Sequence, residues 1–427
     1  MLQEVTTRTR QIESYRSIVE ESLLDELYSL ASYLKGARVV HVNATSNGGG
    51  VAEILHSIIP LYRDLGIEAS WQVIRGNDPF FGVTKQMHNR LQGEGGQFAA
   101  TDWDEYMAWN HSNALELSSG HDVAFVHDPQ PAALLQFARG AATHWVWRCH
   151  IDTSAPNESV WQVIAGLVRS YDALVFSVAD FIGPGVEGTP VFIIPPAIDP
   201  MTPKNRPISW EHAAGLVAKF GVDPLRPFIS QVSRFDPWKD PLGVIASFAE
   251  LQERHPQLQL VMLGNFADDD PEGPEVYQKV LKAAQEAPEV HIITDLTDMV
   301  SPFQSLSKVV VQKSLKEGFG LTVTEALWKG TPVVGGNVGG IRLQLGNGVG
   351  GYLVDSIQEC TEKVDLLLTD EEQRHTLGKL GQEHVRSNFL LPRLLRDELR
   401  VMKRLLSSDG LTSDSEDADV AEGDAVR

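Results

Sequence analysis

The chain has 427 residues, 42% hydrophobic and 22% charged, and carries a formal net charge of −21. The length exceeds one ordinary core and predicts two domains of about 150–200 residues each, and the composition excludes a fibre or a wholly disordered chain. The charge argues against nucleic acid or an anionic membrane surface as partner, because both are bound by basic surface. An anionic substrate would therefore need a local basic pocket. Cys149 and Cys360 are too few for a disulfide framework or a zinc site, and a reduced cytoplasm is the expected location. Residues 1–17 mix Glu4, Arg8, Arg10, Glu13 and Arg16 without an apolar core, unlike a signal peptide, and no run reaches the ~18 apolar residues of a membrane span.

Residues 1–36 read as a helical extension. Leu23, Leu24, Leu27, Leu30 and Leu34 recur at helical spacing within an amphipathic helix predicted over 12–35, and Gly36 fits its stop. The first domain is predicted over 37–203. It begins with an apolar strand at 37–42, the glycines Gly48, Gly49 and Gly50, and a helix carrying Ile54, Leu55, Ile58, Ile59 and Leu65. Strand, glycine turn and helix form a Rossmann-type beginning, and the glycines let backbone approach a phosphate closely, although a simple tight turn has the same composition. Further strands are predicted at 70–74, 123–127, 144–149, 173–177 and 191–194, most of them separated by helical stretches, which is the alternation of an α/β sheet. Lys85, His88 and Asn89 read as a polar helix face or a binding group. Asp128 and His150 follow predicted strands, where a cleft-facing group belongs, although a helix-capping aspartate and a core histidine fit the spacing equally.

A proline-punctuated segment, 195–207, is the candidate linker, and a second domain is predicted over 204–391. Its strands are expected at 228–232, 259–264, 291–294, 308–312 and 332–335. Arg234 and Lys239 lie in the loop after the first of these. They combine a forked donor set with a mobile point charge, and so supply the basic pocket that an acidic protein lacks elsewhere. Asp268-Asp269-Asp270 contains the acid-x-acid pattern of metal-dependent transferases of another fold, but it stands in a polar, proline-flanked loop, and no metal site is predicted from it. Glu317 and Glu325 flank Gly318-Phe319-Gly320-Leu321, a turn that opens a helix. Unpaired N–H groups and partial positive charge at such a start favour a diphosphate, with carboxylates on either side to accept hydroxyls. That layout suits a nucleotide sugar. A basic, leucine-rich helix is predicted over 392–406, beginning at a proline suited to a first helical position. Residues 407–427, acidic, serine-rich and free of aromatics, read as a disordered tail.

The stretch 316–325, with Gly335-Gly336 and Gly339-Gly340 after it, resembles the signature of retaining glycosyltransferases of the GT-B fold, an α/β architecture of two facing Rossmann-like domains with a central cleft. Arg234 and Lys239 resemble the pair that neutralises the departing diphosphate in enzymes of the glycogen-synthase and sucrose-synthase type. The likeness narrows at 43–60, 71–76, 80–93 and 317–330, which resemble the trehalose glycosyltransferring synthases of glycosyltransferase family 4, and it runs from about Val39 to about Arg400. The resemblance implies transfer of glucose from a nucleoside diphosphate glucose to the anomeric hydroxyl of free glucose, giving α,α-trehalose.

By the same resemblance, Glu317 faces the donor hexose, Glu325 accepts from the ribose hydroxyls, and backbone N–H groups from Phe319 to Leu321 hold sugar and phosphate oxygens. The 48–50 loop closes over the diphosphate and the acceptor from the first-domain side, and the helix over 392–406 crosses back to the first domain. Asp128 binds acceptor hydroxyls, His150 lies near the reacting end of the donor sugar, and Lys85, His88 and Asn89 lie near the acceptor. No essential cofactor is implied: UDP- or ADP-glucose is a co-substrate and Mg2+ at most a stimulant. The partners are small sugars and nucleotide sugars, with a homodimer left open. The alternatives are trehalose phosphorylase, a related hexosyltransferase with another small acceptor, and, less well matched, a non-catalytic binding protein on the same scaffold.

Overall fold

The computed structural model describes residues 2–264, 273–287, 289–294 and 300–408. It divides into two compact units. One closes on Pro196 and resumes at Leu391; the other runs Ala197–Leu390, so the division falls inside the proline-punctuated segment.

The first unit is built on β1 (Gln3–Glu4), β2 (Arg38–Asn43), β3 (Glu68–Val73), β4 (His121–His127), β5 (Ala142–Cys149), β6 (Ala173–Phe176) and β7 (Val191–Ile193), in spatial order β1-β3-β2-β4-β5-β6-β7. All neighbours pair in parallel except β1, which lies antiparallel against β3. The central strands are near-continuous apolar runs because helices cover both faces of the sheet. Val39, Val40, Val42, Val123, Ala124, Phe125 and Val126 are fully buried. The second unit holds β8 (Phe228–Val232), β9 (Gln259–Gly264), β10 (Val290–Thr294), β11 (Val309–Gln312), β12 (Val333–Gly336) and β13 (Gly351–Val354), in order β10-β9-β8-β11-β12-β13 and parallel throughout.

Both orders are doubly wound. In the first sheet the chain moves outward from β2 to β3 and then returns to place β4 on the other side of β2. In the second it moves outward from β8 and returns to place β11 beside β8. Loops at the carboxyl ends of the two strands flanking such a reversal diverge and leave a crevice, which is where ligands bind in open α/β sheets.

Three elements depart from the sequence reading. Instead of one helix over 12–35 there is a 3₁₀ turn, Ile12–Tyr15, and then a helix, Glu21–Tyr33. The Asp64 carboxylate, which accepts from the Ile12 N–H at 2.8 Å, ties down the first segment. Strand β1 is only two residues long and has no periodicity to read. Strand β13 follows a glycine-rich stretch, 346–350, whose composition reads as loop. The last helix runs Leu391–Ser408 and packs beside Glu21–Tyr33, with Arg400 Nε donating to Glu26 at 2.6 Å and Tyr33 Oη 2.8 Å from Ser407 Oγ. The tail expected to be disordered lies, from residue 409 on, outside the described residues, as does Asp268-Asp269-Asp270. Among the described residues no helix is long and apolar enough to cross a membrane.

Candidate active site

In the second unit the site residues collect at the β8/β11 reversal. The chain leaves β8 at Val232 and reaches Lys239 through a 3₁₀ turn, Pro237–Lys239. Asp236 caps that turn, accepting from Trp238 N–H at 2.8 Å, and its other carboxylate oxygen lies 3.4 Å from Arg234 Nη2. Gln231 Nε2 donates to the Lys239 carbonyl at 2.7 Å, so the loop is fastened back onto its own strand. Lys239 Nζ then meets Glu317 Oε2 at 2.7 Å, and Ser314 Oγ donates to the same oxygen at 3.2 Å. Lys239 and Glu317 are 78 positions apart in sequence and meet because β8 and β11 are neighbours.

Glu317 leads into the helix Leu321–Trp328. Gly320 stands at its N-cap with φ +82°, a conformation that glycine adopts without strain, and no side chain caps the first turn. The Val323 N–H turns back onto the Gly320 carbonyl at 2.9 Å, and the N–H groups of Leu321 and Thr322 ahead of it are left for an anion. The loop is braced from behind: Gln344, fully buried, donates from Nε2 to the Phe319 carbonyl at 2.6 Å and accepts from Thr324 Oγ1 at 2.6 Å, and Gly340 N–H donates to the Gly318 carbonyl at 3.1 Å. Glu325 is fully buried one turn into the helix and pairs with Lys204 Nζ at 2.6 Å rather than with any other expected site residue.

In the first unit Asp128 and His150 come together, each just past the end of its strand. Asp128 has φ +64°, left-handed backbone that aspartate tolerates better than most residues. Three bonds hold it there: its N–H donates to the Arg148 carbonyl at 2.8 Å, its carbonyl accepts from Trp147 Nε1 at 2.9 Å, and its Oδ1 accepts from His150 N–H at 2.8 Å. Burial pushes the Asp128 carboxyl up to about 7, against the opposing pull of the His150 N–H and the Arg148 guanidinium. Strained backbone and a perturbed carboxyl at the end of a switch-point strand are together a functional signature.

Gly48 and Gly49 have φ of +74° and +86°, Gly50 begins the helix Gly50–Asp64, and no side chain caps that start. A side chain at Gly48 or Gly49 would meet nothing within 4 Å, so this glycine loop borders open space. Lys85, His88 and Asn89 sit at i, i+3 and i+4 on the helix Asp78–Leu91 and share a half-buried face, while Val83, Met87 and Leu91 are buried. His88 Nδ1 is 3.0 Å from Gln92 Nε2.

Sequence reasoning missed His41 and His127, which continue from His150 into the sheet, and also Gln344, Lys204 and Asp236. His127 was legible in principle, since it directly precedes Asp128. Gln344 and Lys204 act from outside the motifs and leave no local signal. Among the described residues no group of three or more His, Cys, Asp or Glu side chains is placed to hold a metal ion.

Comparison with known proteins gives the fold and the family. Residues 41–183 match the family model described as trehalose synthase, N-terminal domain, and 216–384 match glycosyl transferases group 1. A trehalose synthase of Rubrobacter xylanophilus is 48% identical over 415 residues, covering 95% of this chain and all of the relative. A trehalose phosphorylase of Grifola frondosa is 27% identical, covering 88% of this chain and 58% of its own length. Among solved structures, a UDP-forming α,α-trehalose-phosphate synthase of Burkholderia vietnamiensis superposes with a TM-score of 0.68 at 14% identity, over 88% of this chain and all of that one. The two α/β units have the GT-B fold, and the family match over 216–384 makes the chain a glycosyltransferase of that fold. Within that class the chain belongs to the trehalose synthase family.

Proposed function

We propose that the protein is a retaining glucosyltransferase that moves glucose from a nucleoside diphosphate glucose to free glucose, forming α,α-trehalose and the nucleoside diphosphate. The observation that carries the reading is the Lys239–Glu317 pair beside the uncapped start of Leu321–Trp328: a cation, a carboxylate and open backbone N–H groups in one loop system. Those are the groups that a sugar hydroxyl and a diphosphate require. The kinship with trehalose synthases supports the acceptor.

In this scheme the bond from the anomeric carbon to the β-phosphate oxygen breaks while the bond to the acceptor's anomeric oxygen forms on the same face. The acceptor proton passes to the departing phosphate oxygen. Lys239 and Arg234, with the helix N–H groups, stabilise the charge that develops there, which is the term expected to dominate. Glu317, already engaged by Lys239 and Ser314, serves as a hydrogen-bond acceptor to the donor hexose and not as a nucleophile. The ribose hydroxyls compete with the Lys204 ammonium for Glu325, Asp128 accepts from the acceptor sugar, and Lys85, His88 and Asn89 support it.

The reading is tested by incubating the protein with UDP- or ADP-glucose and anomerically 13C-labelled glucose and following the product by NMR. The label should enter an α,α-linked disaccharide in step with nucleoside diphosphate release. A β-linked product, or a trapped covalent glucosyl-enzyme, would overturn the front-face scheme.

A further inference from the structure

The Asp128–His150 corner rests on a line of three histidines, half-buried at His150 and fully buried beyond it, that the scheme above does not use. His41 lies on β2, His127 ends β4, and His150 follows β5. His41 Nδ1 is 3.0 Å from His127 Nε2, and His127 Nδ1 is 3.0 Å from His150 Nε2. The rings are nearly coplanar in pairs, at 26° and 14° with centroids 5.3 and 5.4 Å apart, and His41 also stacks on Phe125 at 4.8 Å. His41 and His127 are 0% and 3% exposed.

Two facts restrict the proton arrangement. Charge is disfavoured along the whole line: burial lowers the pKa of His41 to about 3 and holds His127 and His150 well below the ordinary histidine range, and the nearby Arg148 guanidinium acts in the same direction on all three. Three neutral imidazoles carry one N–H each, so the two bonds must point the same way along the line. The atom at the inner end, His41 Nε2, is buried with no partner among the described residues. If the line ran from His150 inward, that atom would be an orphaned N–H; if it runs outward, it is a bare lone pair. Buried N–H groups without an acceptor are the rarer and costlier case.

We infer that His41 and His127 are positioning residues that hold His150 as the neutral Nδ1–H tautomer, so that it presents a fixed N–H donor to a hydroxyl of the bound sugar. Nδ1–H of His41 donates to His127, Nδ1–H of His127 donates to Nε2 of His150, and the remaining Nδ1–H of His150 meets no described residue. The tautomer follows from this line alone; its use on a sugar hydroxyl rests on the transferase reading.

The test combines ring-15N histidine NMR of the full chain with steady-state kinetics on three variants. In the wild type His150 should show a protonated Nδ1. His127→Asn places an amide donor near the lost Nδ1–H and should preserve both the tautomer and most of kcat/KM. His127→Asp presents an acceptor in its place and should move the proton to Nε2 of His150, with a loss of about tenfold in kcat/KM, the worth of one misdirected hydrogen bond. If that variant does not fold, His41→Phe removes only the first donor and should leave His150 mixed between tautomers. Nε2–H on His150 in the wild type would overturn the tautomer assignment whether or not trehalose is the product. A flipped His150 with unchanged kcat/KM would overturn its role as donor.

Discussion

Asp128 and Lys239 carry the sharpest residue-level consequences. Because the Asp128 carboxyl is raised to about 7, its ionised form grows as pH passes through 7. If that carboxylate accepts the acceptor's hydroxyl, kcat/KM for glucose should climb between pH 6 and 8 by up to about tenfold per unit below the pKa. The Asp128→Asn variant should lose that limb, and a pH profile of both proteins decides it. The stability sign is opposite: a raised pKa means that the folded state holds the proton in a window where the unfolded chain has released it, so the contribution is present below about pH 4 and lost as pH rises through 7. Asp128→Asn should therefore raise Tm more at pH 8 than at pH 5. Removing the cation by Lys239→Ala should lower kcat by about 10²–10³, the usual cost of deleting one charge-stabilising donor, with little change in KM for glucose.

At the scale of elements, the strands were readable because both sheets are covered on two faces and their sequences are apolar runs bounded by glycine and proline. The core residues Val309, Val310 and Val311 and their neighbours Val333 and Val334 carry that signal plainly. The short edge strand Gln3–Glu4 does not, since two exposed polar residues define no period. Resemblance gave Lys239 and Glu317 separate roles, but their meeting was not legible, because nothing in two loops 78 residues apart states that their strands are adjacent. Helix Gly339–Leu345 shows the same limit. Its Gly340 is legible as part of the motif but its packing is not: a side chain there would come 2.6 Å from Phe319 Cα and 2.9 Å from the Gly318 carbonyl. Gly340→Ala should therefore push the glycine loop off its support, costing roughly 1–3 kcal/mol of stability in denaturant titration and reducing turnover together with it.

Across the molecule, the C-terminal helix belongs to the first unit although 194 residues of the second intervene. Its Glu398 is buried against Arg148, to which it is ion-paired, and accepts from Tyr62 Oη at 2.7 Å. Burial raises the Glu398 carboxyl, and Arg148 and Tyr62 oppose that rise. Truncation as Glu398→Ala leaves a buried guanidinium without its partner and should cost about 3–5 kcal/mol in the first unit. Replacing both Arg148 and Glu398 by apolar residues of similar volume should recover much of that loss. If the single variant melts like the wild type, the Arg148–Glu398 pair does not hold the C-terminal helix to the first unit. The network was invisible to sequence reading because Arg148 and Glu398 are 250 positions apart and each resembles a surface charge on its own element.

The most direct test is a chromatographic product assay of the purified protein with glucose and, separately, UDP-, ADP- and GDP-glucose and glucose 1-phosphate. Trehalose should form from at least one nucleotide donor and not from glucose 1-phosphate. Trehalose from glucose 1-phosphate alone would contradict nucleotide-sugar transfer and make the protein a phosphorylase, and no trehalose from any donor would contradict the acceptor.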